Sequence, residues 1–319
     1  MDQSLLSSRA IRGFYFAALE VDRGGFWLDD VSNLYGSDQA SETYNWLGMT
    51  PAMREWLQGR QAKGFTGQGV TILNKHYEAT LEILLKDMRR DKTGQIRARM
   101  AELAQRGQTH WASLISSLIR DGDSSVCYDG QYFFDTDHSE GSSGAQSNKI
   151  SVSIAGLPAQ LHGSTSAPSV EEMQQAILKA VTQILSFVDD RGEPMNELAR
   201  SFTVMVPIGL YMTAVAAISP LAVAALPNNL NGNNLPDFHI KVVPNTRLTA
   251  AGWTTKFVVF RTDAPTKALI RQTEKEVEFK MKDENSEFAF DNDAIQAGID
   301  GWRGVGYGHW QRAVHVTLT

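Results

Sequence analysis

The chain's only cysteine lies in Cys127-Tyr-Asp-Gly-Gln-Tyr-Phe-Phe-Asp-Thr-Asp-His138, a stretch that also holds Asp129, Asp135, Asp137 and His138. A thiol, an imidazole and carboxylates are the groups from which a cysteine nucleophile and its base are built. Asp135, Asp137 and His138 also offer oxygen and nitrogen ligands at alternate positions. Two chemistries therefore start here: thiol-dependent hydrolysis through Cys127 and His138, or metal binding. A reactive thiol needs its pKa lowered by a base, a cation or a helix N-terminus. Cys127 instead follows a long amphipathic run, past a helix C-terminus, where the macrodipole disfavours a thiolate. Spacing within one loop does not establish contact with His138, and no second cluster of comparable character completes a metal shell. Cys127 reads as a small buried hydrophobe; no catalytic residue, metal or cofactor is assigned.

Other chemical signals are weaker. Asp291-Asn-Asp293 resembles the opening of a calcium loop but continues with Ile295 and Gln296, where an oxygen ligand and a glycine are needed. Gly304-Val-Gly-Tyr-Gly308 does not open a helix after a strand, so it is a poor phosphate cradle. There is no Walker loop, nucleophile elbow or zinc-protease helix. The expected protein is not an enzyme.

At 319 residues and 42% hydrophobic, the chain can bury one large core or two smaller ones. A net charge of −6 argues against binding nucleic acid by phosphate neutralisation, which needs a basic face, but suits a protein that encloses DNA without gripping it. One cysteine excludes a disulfide framework within the chain. The first residues lack the basic start and apolar stretch of a secretory signal. Phe202–Pro236 carries no charged side chain, yet Pro220 interrupts it and no Lys or Arg cluster flanks it. It reads as a core strand-turn-helix, not a membrane span.

The elements that must position these residues follow from periodicity. Apolar spacing predicts a helix over 5–20, inside an N-terminal arm, 1–50, with no second layer to pack on. Trp56–Leu85, punctuated by four glycines, reads as a long two-stranded excursion with its tip near Lys63–Gly69. Ile96, Met100, Leu103, Ala104, Gly107, Trp111, Leu114, Ile115 and Leu118 mark one face of a long helix over 95–120. Residues 139–168 read as loop, and Ser169-Val-Glu-Glu172 as a capping box that opens a second helix. Strands are expected at Phe202–Val206, Phe238–Val243, Lys256–Arg261, Ala268–Lys282 and Gln311–Leu318.

Four segments, in order, resemble the major head (capsid) subunit of Mu-like tailed bacteriophages. They are Tyr44-Asn-Trp-Leu-Gly48 with Met53-Arg-Glu-Trp-Leu57; Leu114–Phe134, with Leu118-Ile-Arg-Asp-Gly122 and Cys127-Tyr-Asp-Gly130; Phe202–Leu210; and Gly304-Val-Gly-Tyr-Gly-His-Trp310. The resemblance implies an α+β protein of the Hong Kong 97-type capsid fold. Its parts would be the arm at 1–50, an extended loop (β-hairpin) at 51–82, a peripheral domain at 83–125 and 262–319 with a spine helix, and an axial domain at 126–261. The C-terminal strand would join Ala268–Lys282 in the peripheral sheet, and Tyr128, Tyr132, Phe133 and Phe134 would be packing residues.

The implied function is self-assembly as hexamers and pentamers into an icosahedral head shell around double-stranded DNA, in the virion, after assembly in the host cytoplasm. The implied partners are other copies of the chain, a scaffold, a portal and a decoration protein; no membrane is involved. Candidate subunit contacts are Phe14, Tyr15, Phe26 and Trp27 in the arm and Arg60, Lys63 and Phe65 at the loop tip. Two other readings remain open: the Cys127/His138 hydrolase, and a non-viral compartment shell of the same fold.

Overall fold

The computed structural model describes residues 7–20, 27–45, 69–91, 93–219, 238–249 and 252–319. The expected loop tip near Lys63 and the residues Phe26, Arg60, Lys63 and Phe65 lie outside the described residues.

One helix organises the chain. α4 (Gln95–Arg120) runs for 26 residues, or about 39 Å at 1.5 Å per residue. Its start is fixed by Asp91, whose carboxylate accepts from the Gln95 and Ile96 amides at 3.1 and 3.0 Å, around Gly94 at φ +73°. Those bonds satisfy amides that have no partner within the helix. Its apolar face is the one that the sequence predicts as far as Trp111 and at Ile115; beyond Trp111, Leu114 and Leu118 are only half-buried, and Ser116 and Ile119 are buried instead.

This face serves two cores. Ile96, Met100, Leu103 and Ala104 pack with Ile11, Tyr15, Ile295, Ala297 and Ile299. A turn or two further on, Trp111, Ile115 and Ile119 enter a larger core with Phe133, Phe134, Val204, Phe257, Val259 and Trp310.

Among the described residues, three sheets lie around these cores. β4 (Lys75–Leu84), β10 (Ala294–Tyr307) and β9 (Leu269–Lys282) are antiparallel neighbours, and β1 (Ser32–Gly36) adds in parallel to the far edge of β9. A five-stranded sheet has the order β5 (Lys149–Val152), β11 (Ala313–Leu318), β8 (Lys256–Arg261), β6 (Ser201–Val206), β7 (His239–Pro244). β2 (Ser41–Tyr44) pairs with β3 (Val70–Leu73). The other α-helices among the described residues are α1 (Ser8–Leu19), α2 (Leu28–Val31), α3 (Leu85–Arg90), α5 (Val170–Ser186), α6 (Ile208–Ala217) and α7 (Glu287–Asn292). α5 carries the expected capping box between Ser169 and Glu172.

Four expectations need correction. The N-terminal region does have a layer to pack on: α1 lies on α4, and β1 joins the four-stranded sheet. The C-terminal strand β11 pairs with β5 and β8 rather than with β9, because β10, which precedes it, already fills that edge. β10 itself was hidden by its glycines at 298, 301, 304 and 306, which let β4, Ile72 and Val277 approach closely. Finally, the Ser- and Gly-rich 139–168 segment contains β5, whose two half-buried residues Lys149 and Ile150 give little periodic signal.

Gly107 lets α4 approach the sheet: a Cβ there would stand 3.2 Å from Ile299 Cδ1 and 3.6 Å from Val277 Cγ1. Gly107→Ala should be close to neutral, since the gain of about 1 kcal/mol in helix propensity offsets the contact. Gly107→Leu should lose about 1–3 kcal/mol from overpacking. Urea unfolding of both variants checks this; equal stability for the Leu variant and the parent would contradict the packing described.

Candidate functional site

The Cys127–His138 segment leaves α4 through a single 3-10 turn, Asp121–Asp123, and folds back on itself. The Cys127 amide donates to Gln131 O at 2.8 Å around Gly130, which sits at φ +87°. This tight reversal places Asp129 between the thiol and the imidazole. Cys127 Sγ donates to Asp129 Oδ1 at 2.9 Å, and Asp129 Oδ2 lies 2.6 Å from His138 Nδ1. His138 Nε2 reaches Asn148 Oδ1 at 3.3 Å, and its ring lies flat on Trp310, 4.1 Å between centroids. Asn148 is oriented in turn by donating to the carbonyls of Phe133 and Trp310.

The order of these groups decides what they can do. A nucleophilic thiol needs the imidazole beside it to take its proton. Here a carboxylate stands beside it instead. Burial pushes the Cys127 thiol far up from its usual value, and the Asp129 charge adds to the rise. Burial alone would also raise Asp129, but hydrogen bonds from His138 and Cys127 outweigh it and hold that carboxyl below the usual range. Cys127, Asp129 and His138 are the one set of three metal-ligating side chains that converges among the described residues, and each is engaged with another member of the set. Asp135 and Asp137 do not join them; Asp135 instead accepts from the amides of Tyr132 and Thr136. The sequence names Asp129 among the nearby carboxylates but does not show that it alone bridges the thiol and the imidazole.

A second buried network lies alongside. Tyr128 donates to Glu140 at 2.5 Å and accepts from Gln311 at 2.9 Å. Burial raises both Glu140 and Tyr128 above their usual values. Phe133 stacks on Tyr307, 4.6 Å between centroids, and Phe134 is equally buried. Tyr132 is the exception among the expected packing residues: it is 46% exposed.

The candidate contact residues divide in the same way. Tyr15 is 1% exposed and Trp27 6% exposed, each within its own chain's core, so neither presents a free ring. Phe14 is half-buried, with the Arg97 guanidinium 5.6 Å above it. The apolar side chains that do face outward were not singled out from sequence. They include Phe16, Leu198, Ile208, Met212 and Phe290, the last 91% exposed on α7. Ile208 and Met212 lie on α6, which has no charged residue. That lack of charge was the signal, read as burial within the chain. Among the described residues no helix is long and apolar enough to cross a membrane.

The family model described as Mu-like prophage major head subunit gpT matches residues 14–160 and 237–319, well over half of the chain. The chain belongs to this family. Its similarity to curated members is local. It is 34% identical over 124 residues to the Mu-like prophage FluMu major head subunit of Haemophilus influenzae, covering 39% of this chain and 40% of that one. It is 33% identical over 108 residues to the major capsid protein of Escherichia phage Mu, covering 34% and 35%. The matches thus span less than half the length of either relative.

Solved structures carry the fold further. The procapsid subunit of bacteriophage JBD30 superposes with a TM-score of 0.53 at 22% identity, covering 97% of this chain and 73% of the other. The capsid subunit of cyanophage P-SCSP1u gives 0.54 at 13% identity, covering 94% and 90%. The fold is that of tailed-phage capsid proteins, an α+β fold of the Hong Kong 97 type. The Cys127–Gly130 turn and His138 fall inside the family match, whereas Phe202–Leu210 falls outside it.

Two outcomes test the reading of Cys127. A disulfide reagent should leave the native chain unlabelled at neutral pH and label it once guanidinium unfolds it; equal rates would show an accessible thiolate. Asp129→Asn should cost about 2–4 kcal/mol by breaking a buried hydrogen-bonded pair. Because the folded Asp129 carboxyl titrates below its unfolded value of 3.8, its contribution is complete above that pH and fades as pH falls through the lower folded value. The loss in the variant should therefore shrink in acid, which urea melts across pH measure.

Proposed function

We propose that this chain is the major capsid protein of a Mu-like tailed phage, self-assembling as hexamers and pentamers into an icosahedral head shell around double-stranded DNA. The observation that carries this is the family match on a chain whose fold over nearly its whole length is that of capsid subunits. The buried thiol beside a carboxylate supports a structural role over the hydrolase reading. The net charge of −6 suits a shell that contains DNA without neutralising it. Outward apolar side chains on α6 and α7 are the kind of surface that subunit association covers.

In this reading α4 is the spine helix of a peripheral domain that also holds β4, β9 and β10. The five-stranded sheet with α5 and α6 is the axial domain, and β11 is the strand that returns to it. The extended loop, expected at 51–82, gives up residues 75–82 to β4 of the four-stranded sheet, so in this reading it spans 51–74, with Arg60, Lys63 and Phe65 as its contacts, and Phe14 and Phe16 are the contacts of the N-terminal segment. The scaffold, portal and decoration proteins are its expected partners.

Electron microscopy of the purified chain should show closed shells; monomers or open sheets at all concentrations would refute the proposal. Replacing residues 59–68 with a short Gly-Ser linker leaves β3 intact. It should give a chain that unfolds cooperatively yet forms no closed shell, and shells of normal size from that variant would remove the extended loop from the contact surface.

A further inference from the structure

Between the two cores, where α4 passes from one to the other, a cavity of about 230 Å³ opens between the helix and the β4–β10 sheet. Arg106, His110 and Ser113 of α4, Arg247 from the turn after β7, Tyr77 of β4 and Arg303 of β10 line it. Glu78 and Asp300 also border it, but alternate residues of a strand point to opposite faces. Ala79 and Ile299 pack into the α4-side core, while Asp300 pairs with Lys280 at 2.7 Å and His76 at 3.2 Å on the outer face. The ionisable side chains on the cavity side are therefore three arginines, one histidine and the Tyr77 phenol. Arg303 Nη2 forms an ion pair with the exposed Glu276 carboxylate at 3.6 Å.

Arg303 is the fixed point. Its side chain is 5% exposed and lies 4.5 Å over the Trp111 ring. Nη1 stands 3.3 Å from His110 Nδ1. Arginine only donates, so Nδ1 accepts and the histidine proton resides on Nε2, making the imidazole a further donor. Burial and the fields of Arg303 and Arg247 push His110 down to about 4, which keeps it neutral and marks where the two positive fields converge. Arg303 Nε and Tyr15 Oη are buried with no hydrogen-bond partner, and Tyr15 Oη lies 4.0 Å from where a Gly107 Cβ would stand, at the cavity's edge. Three arginines line one space that, among the described residues, only the exposed Glu276 carboxylate approaches, and one planar donor of Arg303 is unused, so positive charge exceeds negative there.

We propose that this cavity binds a phosphate group through Arg106, Arg247 and Arg303. Guanidinium forks match the geometry of phosphate oxygens, and Ser113, which accepts from Arg247 at 3.2 Å, keeps its own hydroxyl proton to donate. The volume of about 230 Å³ leaves room for a phosphate with part of its hydration. The group can come from free phosphate or from a phosphodiester of enclosed DNA; only the second source rests on the shell reading.

The test uses the full chain and two double variants. Arg106 and Arg247 are exposed, so Arg106→Gln/Arg247→Gln should fold. Arg89→Gln/Arg90→Gln removes the same charge from exposed positions on α3. In potassium phosphate, against potassium chloride of equal ionic strength, the parent and the α3 variant should gain about 2–4 °C in Tm, saturating with phosphate. The Arg106/Arg247 variant should lose that gain. An equal rise in all three proteins would be the general effect of an excluded salt and would overturn the proposal, as would no rise in the parent. Anisotropy of a labelled short DNA duplex separates the sources. Binding by the parent that phosphate displaces and the Arg106/Arg247 variant lacks assigns the phosphodiester; saturable phosphate binding without duplex binding assigns the free ion. Neither result depends on whether closed shells form.

Discussion

A single rigid helix shared by two hydrophobic cores is the constraint on which the rest of the structure depends. α4 contributes its first turns to the core beneath β9 and β10 and its last turns to the core of the five-stranded sheet. Neither core can shift along the other without sliding a 26-residue helix whose start is pinned by Asp91. Tight packing makes such sliding costly, because interiors tolerate little void or overlap. The Gly107 contact with Ile299 fixes the distance between helix and sheet near the midpoint, where the two cores meet. The arginine-lined cavity lies at that same seam, where apolar packing from neither side is complete.

Much of this frame was legible in the sequence where one periodicity dominated. The apolar steps from Ile96 to Leu118, the capping box at Ser169 and the Lys256–Arg261 run each specify an element through local chemistry. What stayed hidden depends on partners distant in sequence. β10 looks like a glycine-rich loop until β4 and β9 are seen to crowd its glycine faces. β11 reads as a strand, but its choice of sheet is set by which edge β10 leaves open. Tyr15 and Trp27 looked like surface aromatics because nothing near them in sequence shows what covers them.

The cysteine segment shows the same division at the level of chemistry. Its residue types suggest reactivity; its geometry removes it. Asp129 accepts from both neighbours, so the thiol keeps its proton and the imidazole is held against Trp310. A satisfied polar network of this kind orders the turn that carries the chain from α4 into the larger core, since each donor left unmatched there would be costly. The Tyr128–Glu140–Gln311 set does the same between this turn and the buried C-terminal segment.

The β9–β10 hairpin has a mechanical consequence. Its strands are 14 residues each, with register irregularities around Asp300, Trp302 and Arg303. From there to the α7 tip is about 25 Å of strand at roughly 3.3 Å per residue. A rotation of about 5° at the irregular point beside Arg303 would displace the tip by roughly 2 Å over that arm. Because Ile295, Ala297 and Ile299 of that arm pack against α4, such a rotation would carry the smaller core with it, and Phe290, at the far end, would travel furthest.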